Sequence, residues 1–166
     1  MCTGHPRITD CSSLGPENFK FRNTEFLMSD SHYDVLPHQT REELRRRIWN
    51  VRNGDLQRVL DGFPTDEPLV EQCALWMHAV VGKHFFPDAN HRTAIVLLRQ
   101  LLRDNGIDPG EWPIERTKEA RRESHEVCRE IPPVRLDALY ERDELYGVWK
   151  RYFEEVLTVE YSNEGQ

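Results

Sequence analysis

The chain has 166 residues with twenty-nine acidic and twenty-two basic side chains, for a net charge of −7. That length suits one domain with a real core, and the acidity disfavours general binding to a phosphate backbone. The four cysteines lie far apart without a C-x-x-C pair, no stretch approaches the roughly 20 apolar residues of a membrane span, and the N-terminus has no apolar signal core. The reading is a cytoplasmic protein with neither a membrane nor a nucleic acid as partner.

Residues 1–39 hold Gly15, Pro16, Asn18, Asn23, Ser29, Pro37 and only short apolar pairs, which predicts loop with a short β-hairpin at most. Thr40 and Glu43 have the spacing of a capping box and start a helix that runs to about residue 53, where Gly54 is expected to stop it. From residue 66 the apolar positions Leu69, Val70, Cys73, Trp76, Met77, Val80 and Val81 recur at helical steps up to Gly82. A second apolar helix spans residues 90–104, with Asn105 and Gly106 as its stop. Being apolar over much of its circumference, it is expected to be the central helix.

Residues 114–129 are highly charged and predict a solvated helix whose only assured contribution is solubility. Pro132 and Pro133 break the chain, two further helices are expected over residues 134–140 and 143–157, and residues 161–166 form a polar tail. The expected fold is all-α, a bundle of about six helices over residues 40–160 preceded by the loop region.

Chemistry concentrates between the two apolar helices, in the run from His84 through Phe86, Pro87, Asp88, Ala89, Asn90, His91 and Arg92 to Thr93. The first turn of a helix offers unpaired N–H groups and the positive end of its dipole, which suits an anion such as phosphate. Arg92 would add a cationic fork, Asp88 a carboxylate for magnesium, Asn90 a neutral donor, and His84 a base for an attacking hydroxyl. The bland reading makes Asp88 or Asn90 a helix cap, Pro87 a turn former and His84 a loop residue.

His84, Phe86, Asp88, Ala89, Asn90 and Arg92 match the signature H-x-F-x-[D/E]-[G/A]-N-x-R, so the stretch resembles the Fic/Doc family; the convincing part covers residues 69–106. The resemblance implies His84 as base, Asp88 as the Mg2+ ligand, Asn90 and Arg92 as a phosphate-holding pair, Phe86 as a core anchor, and the backbone N–H groups of Ala89, Asn90, His91 and Arg92 as an anion hole for ATP. Adenylyltransferases of the family carry a second glycine where this chain has His91, and a second arginine where it has Ile95. The run from Asp88 to Ala94 is closer to the Doc subgroup's D-A-N-K-R-T-A. This implies transfer of a phosphate-containing group from ATP to a Ser, Thr or Tyr hydroxyl of a target protein, phosphorylation before adenylylation (AMPylation), with a toxin-like role.

The implied partners are a protein substrate, with a translation factor among the candidates, and a separate antitoxin chain. His91 is expected at the mouth of the anion hole, where its imidazole would crowd an α-phosphate and titrate near 6.5; the bland reading has it pointing to solvent from the first helical turn. Ser13, Glu17 and Asn18 spell the family's inhibitory motif, but Gly15 and Pro16 argue against a helix there. A target-pairing flap could only fall in residues 20–37. Two rival readings remain: a metal-dependent hydrolase built on His78, His84, Asp88 and His91, and a non-catalytic helical interaction domain.

Overall fold

The computed structural model describes residues 5–29 and 32–164, with side chains to residue 157. The protein is all-α: among the described residues there are seven α-helices, one short 3-10 turn and no strand. No helix among them is long and apolar enough to cross a membrane. The helices are α1 (Pro16–Met28), α2 (Arg41–Trp49), α3 (Asn53–Asp61), α4 (Leu69–Lys83), α5 (Asn90–Asp104), α6 (Ile114–Glu130) and α7 (Glu144–Glu164).

The first helix corrects the reading of residues 1–39 as loop and hairpin. Pro16 sits in the first turn of α1, where its missing N–H is no loss, and Gly15 caps it in an extended conformation. Phe19, Lys20, Asn23 and Leu27 are buried, and the adjacent pair followed by four-residue steps fits one face of a helix and not the alternating faces of a strand. The hairpin flap expected within residues 20–37 is absent from its described part: residues up to 28 are helical and residues 32–36 have no regular structure. Residues 30 and 31 of that stretch, and residues 165–166 of the expected tail, lie outside the described residues, while α7 runs on through residue 164. Glu17 is exposed at the start of α1 and does not line the main cavity.

The capping box at α2 forms as expected, Thr40 Oγ1 accepting from the Glu43 N–H at 3.1 Å. Gly54, expected to stop this helix, instead lies in the first turn of α3. The helix expected over residues 134–140 shrinks to the 3-10 turn Leu136–Ala138, following the rigid Pro132-Pro133 pair.

The centre of the bundle is α4 rather than α5. Residues Gln72 to Gly82 of α4 are buried without interruption, against α5 on one side and α7 on the other. On α5 only one face is buried, with Ala94, Leu97, Leu98, Leu101 and Leu102 turned inward while Ile95 and Val96 are partly exposed. An apolar circumference alone therefore did not identify the central helix. At the end of α4 the backbone passes so close to residue 134 that a Cβ on Gly82 would stand 2.5 Å from Val134 Cγ2, and the Val134 N–H donates to the Gly82 carbonyl at 2.9 Å. This close approach fixes the point from which the next loop departs.

Candidate functional site

The loop between α4 and α5 is shaped by two residues in the left-handed region, His84 (φ 56°) and Ala89 (φ 59°). Such backbone on a non-glycine residue costs of order 1–3 kcal/mol and persists only where the surroundings impose it. Phe86 supplies part of that constraint, being 1% exposed; burying such a ring contributes about 2 kcal/mol. Asn90 supplies more: its Oδ1 accepts from the Phe86 N–H at 3.1 Å and its Nδ2 donates to the Phe86 carbonyl at 2.9 Å. The Asn90 side chain, expected to donate to a bound anion, is thus engaged by the loop itself, with a long 3.4 Å contact left to His84 Nδ1.

From the other side α1 and residues 32–36 hold the same loop. Asn23 is fully buried and donates to the Asp88 carbonyl at 2.8 Å and to Thr93 Oγ1 at 3.0 Å. The Tyr33 hydroxyl donates to Asn23 Oδ1 at 2.8 Å and accepts from the Asp88 N–H at 3.2 Å. Burial raises the Tyr33 pKa above the ordinary phenol value, so the hydroxyl keeps the proton this arrangement needs. The carboxylate of Asp88 accepts from the Asp34 N–H at 2.7 Å through Oδ2.

Above this loop opens a cavity of about 560 Å3. His84, Asp88, Ala89, Asn90, His91 and Arg92 all line it, so the loop-to-helix residues singled out in the sequence do converge. Its opposite wall is α6, through Arg121, His125, Cys128 and Arg129. Asp88 is the single carboxylate among the lining residues, against three guanidinium groups. No side chain caps α5, so the backbone N–H groups of its first turn are left for a ligand. A cationic cavity at an uncapped helix N-terminus is built for an anion.

Arg92 lies over the Phe26 ring at 5.0 Å and reaches Asp88 Oδ2 at 3.9 Å, which sets its fork at the cavity edge. Arg121 faces it from α6, and its Nε is buried with no hydrogen-bond partner among the described residues. Burial first, and the Arg92 guanidinium second, pull the Arg121 pKa below the ordinary arginine value. A buried donor without an acceptor beside a like charge is unfavourable unless an anion joins it.

Partial burial lowers the His84 pKa, Asp88 opposes this, and Arg47 and Lys83 lower it further. The long contact to Asn90 sets the preferred tautomer only weakly. His84 also lines a second cleft of about 290 Å3, together with Asp34, Arg47 and Pro87, and is thus common to both cavities.

His91 departs most from expectation. It is 6% exposed, its Nε2 lies 2.7 Å from Ser124 Oγ, and its ring is 4.4 Å from that of His125. Trp149 Nε1 donates to the same serine at 3.2 Å. Burial, with smaller effects from His125 and Arg121, pushes the His91 pKa down to about 3. The expectation of a ring at the cavity mouth titrating near 6.5 is corrected: His91 is a neutral strut that pins α5 to α6.

Of the four residues of the metal-hydrolase reading, His84, Asp88 and His91 line the cavity but His78 does not. His78 lies buried on α4, its ring nitrogens 2.6 Å from the Leu139 carbonyl and 3.0 Å from Asp143 Oδ2. Among the described residues no group of three or more His, Cys, Asp or Glu side chains is placed to hold a metal ion.

The residues missed in the sequence are Arg121, His125 and Arg129 on α6, and Asn23 and Tyr33 behind the loop. Arg121, His125 and Arg129 recur every four residues, which puts them on one face of a helix, but the same segment is crowded with charges on every face.

Fold and site together define an all-helical protein with a cationic, histidine-walled cavity at the N-terminus of a core helix. Comparison with protein-family models gave no match, and comparisons with curated proteins and with solved structures gave none either.

Proposed function

We propose that the chain is a Fic/Doc-like transferase that binds ATP in the larger cavity and passes a phosphate-containing group, the γ-phosphate before AMP, to a hydroxyl of a protein. The observation that carries this reading is the position of His84, an imidazole with a lowered pKa that lines both the cationic cavity and the second cleft. A phosphate chain on the first side would meet the α5 N-terminus and Arg92, while an acceptor hydroxyl enters from the second. The hydroxyl oxygen then attacks phosphorus, its proton passes to a ring nitrogen of His84, and ADP leaves when the γ-phosphate is the one transferred.

The residues present fit a magnesium nucleotide. Magnesium binds through one or two carboxylates plus substrate phosphates, and Asp88 provides one, with its Oδ1 free of hydrogen bonds among the described residues. The ion would supply charge neutralisation between phosphates. Phosphorylation is preferred because the run from Asp88 to Ala94 resembles the Doc subgroup. The toxin-like role, the antitoxin partner and a translation factor as target rest on that resemblance alone.

The test is incubation of the protein with cell lysate and γ-labelled ATP, alongside His84→Ala. Label on a lysate protein that depends on His84 supports the reading. Equal labelling with both proteins, or none with either, overturns it.

A further inference from the structure

The cations of α6 divide into two sets. Arg116 pairs with Glu155 at 2.7 Å and Lys118 with Glu115 at 3.9 Å, and neither lines the cavity. Arg121 and Arg129 line the cavity and have no ion-pair partner among the described residues. With His125 they recur every four residues, so they form a cationic rail of about 12 Å along one face of the helix.

We infer that this rail, with Arg121 as its principal group, is a second phosphate-holding arm across the cavity from Arg92, and that the cavity is selective for a chain of phosphates over a single one. The inference rests on the proposed use of this cavity as a phosphate site and deepens it. Three observations carry it. Arg121 lines the cavity, and its Nε is buried with no hydrogen-bond partner among the described residues, so one of its donors is left unsatisfied by the protein. Arg92 and Arg121 stand on facing walls with Asp88 as the sole lining carboxylate, so the cavity has more positive charge than its own groups neutralise. The α5 first turn and Arg92 suffice for one phosphate group, and the α6 rail lines the same cavity, where an anion with several phosphates in line would meet both arms at once.

The position α5 would use for a second arginine of its own is taken by the apolar Ile95, which leaves α6 as the remaining source of charge on the described walls of the cavity. The His125 ring lies tilted 4.4 Å from that of His91 and shapes the rail, while partial burial and the nearby Arg121 lower its pKa. The guanidinium groups, charged throughout the working range, are the ones that bind.

Calorimetric titration with inorganic tripolyphosphate and, separately, orthophosphate tests the inference without any transfer reaction. The wild-type protein should bind tripolyphosphate more tightly than orthophosphate. Arg121→Gln should weaken tripolyphosphate by about tenfold or more, the loss of one charge-assisted hydrogen-bonding group, and orthophosphate far less. Arg121→Lys, which keeps the charge, should retain an intermediate affinity, and the ligand-free melting temperature of Arg121→Gln should not fall, because a repelled charge has been removed.

Unchanged tripolyphosphate affinity in Arg121→Gln, or no binding by the wild-type protein, overturns the inference. So does an equal loss in the lysine and glutamine variants, which would mark Arg121 as structural. Arg121-dependent tripolyphosphate binding without label transfer to protein would sink the transferase reading and leave the rail standing. Label transfer with Arg121-independent binding would do the reverse.

Discussion

Replacing His91 by alanine removes a buried ring from the seam between α5 and α6, and the structure sets the size of the effect. The hydrogen bond to Ser124 Oγ at 2.7 Å is lost, worth about 1 kcal/mol, and Ser124 keeps only its bond from Trp149. The space left by the ring adds a large-to-small penalty, which runs from about 2 to 5 kcal/mol and should fall at the low end here because the adjoining cavity lets water in. Alanine returns about 0.5 kcal/mol of helix propensity. The net expectation is a loss of about 2–4 kcal/mol, a large share of the roughly 5–15 kcal/mol that holds a domain folded.

The same variant has a pH signature. A histidine whose folded-state pKa is pushed down to about 3 leaves the unfolded chain binding the proton first. Its contribution to stability is therefore complete above about 6.5, falls as pH drops, and is lost by about pH 3, with a slope of at most about 1.4 kcal/mol per pH unit. Urea titrations of both proteins at pH 7.5 and pH 5 measure both effects, given matching m-values. A shift under about 0.5 kcal/mol at pH 7.5, set against the worked loss, or identical pH slopes, would refute the description of His91 as a neutral strut.

Three further outcomes follow from the site. His84→Ala should lower transfer by about 100- to 10,000-fold with an unchanged melting curve and nucleotide affinity, read from label incorporation and calorimetry; a variant that unfolds would make His84 structural. Arg92→Ala should weaken Mg-ATP binding by about tenfold or more, because it removes a charged donor at the α5 N-terminus, and equal calorimetric affinity would take Arg92 out of the site. Gly82→Ala places a methyl 2.5 Å from Val134 Cγ2 and should destabilise by about 1–3 kcal/mol in urea, with transfer falling because residue 84 shifts with the end of α4. A neutral result would mean that residues 131–135 yield freely.

Much of the architecture could be read from spacing. The steps from Leu69 to Val81 and from Ala94 to Leu102 marked α4 and α5 within a few residues, and the polar run between them marked a junction whose side chains line one cavity. What escaped has identifiable causes. Pro16 and Gly15 were weighed as helix breakers, although a helix start is where both residues fit, so α1 and with it Asn23 were missed. On α6, Arg121, His125 and Arg129 are interleaved with Arg122, Glu123, Glu126 and Glu130, and nothing in the sequence says which charged face meets a neighbour. Whether His91 pointed outward or inward depended on Ser124 and Trp149, more than thirty and fifty residues away, and a local motif contains no such contact.

The central claim, that the cavity delivers a phosphate-containing group from ATP to a protein hydroxyl, is tested most directly by parallel incubations with cell lysate and ATP labelled at either the α- or the γ-phosphate. The expected result is γ-label on protein, dependent on His84, with little α-label. Protein carrying α-label in place of γ-label would contradict the Doc-type direction, and protein carrying neither would contradict transfer itself.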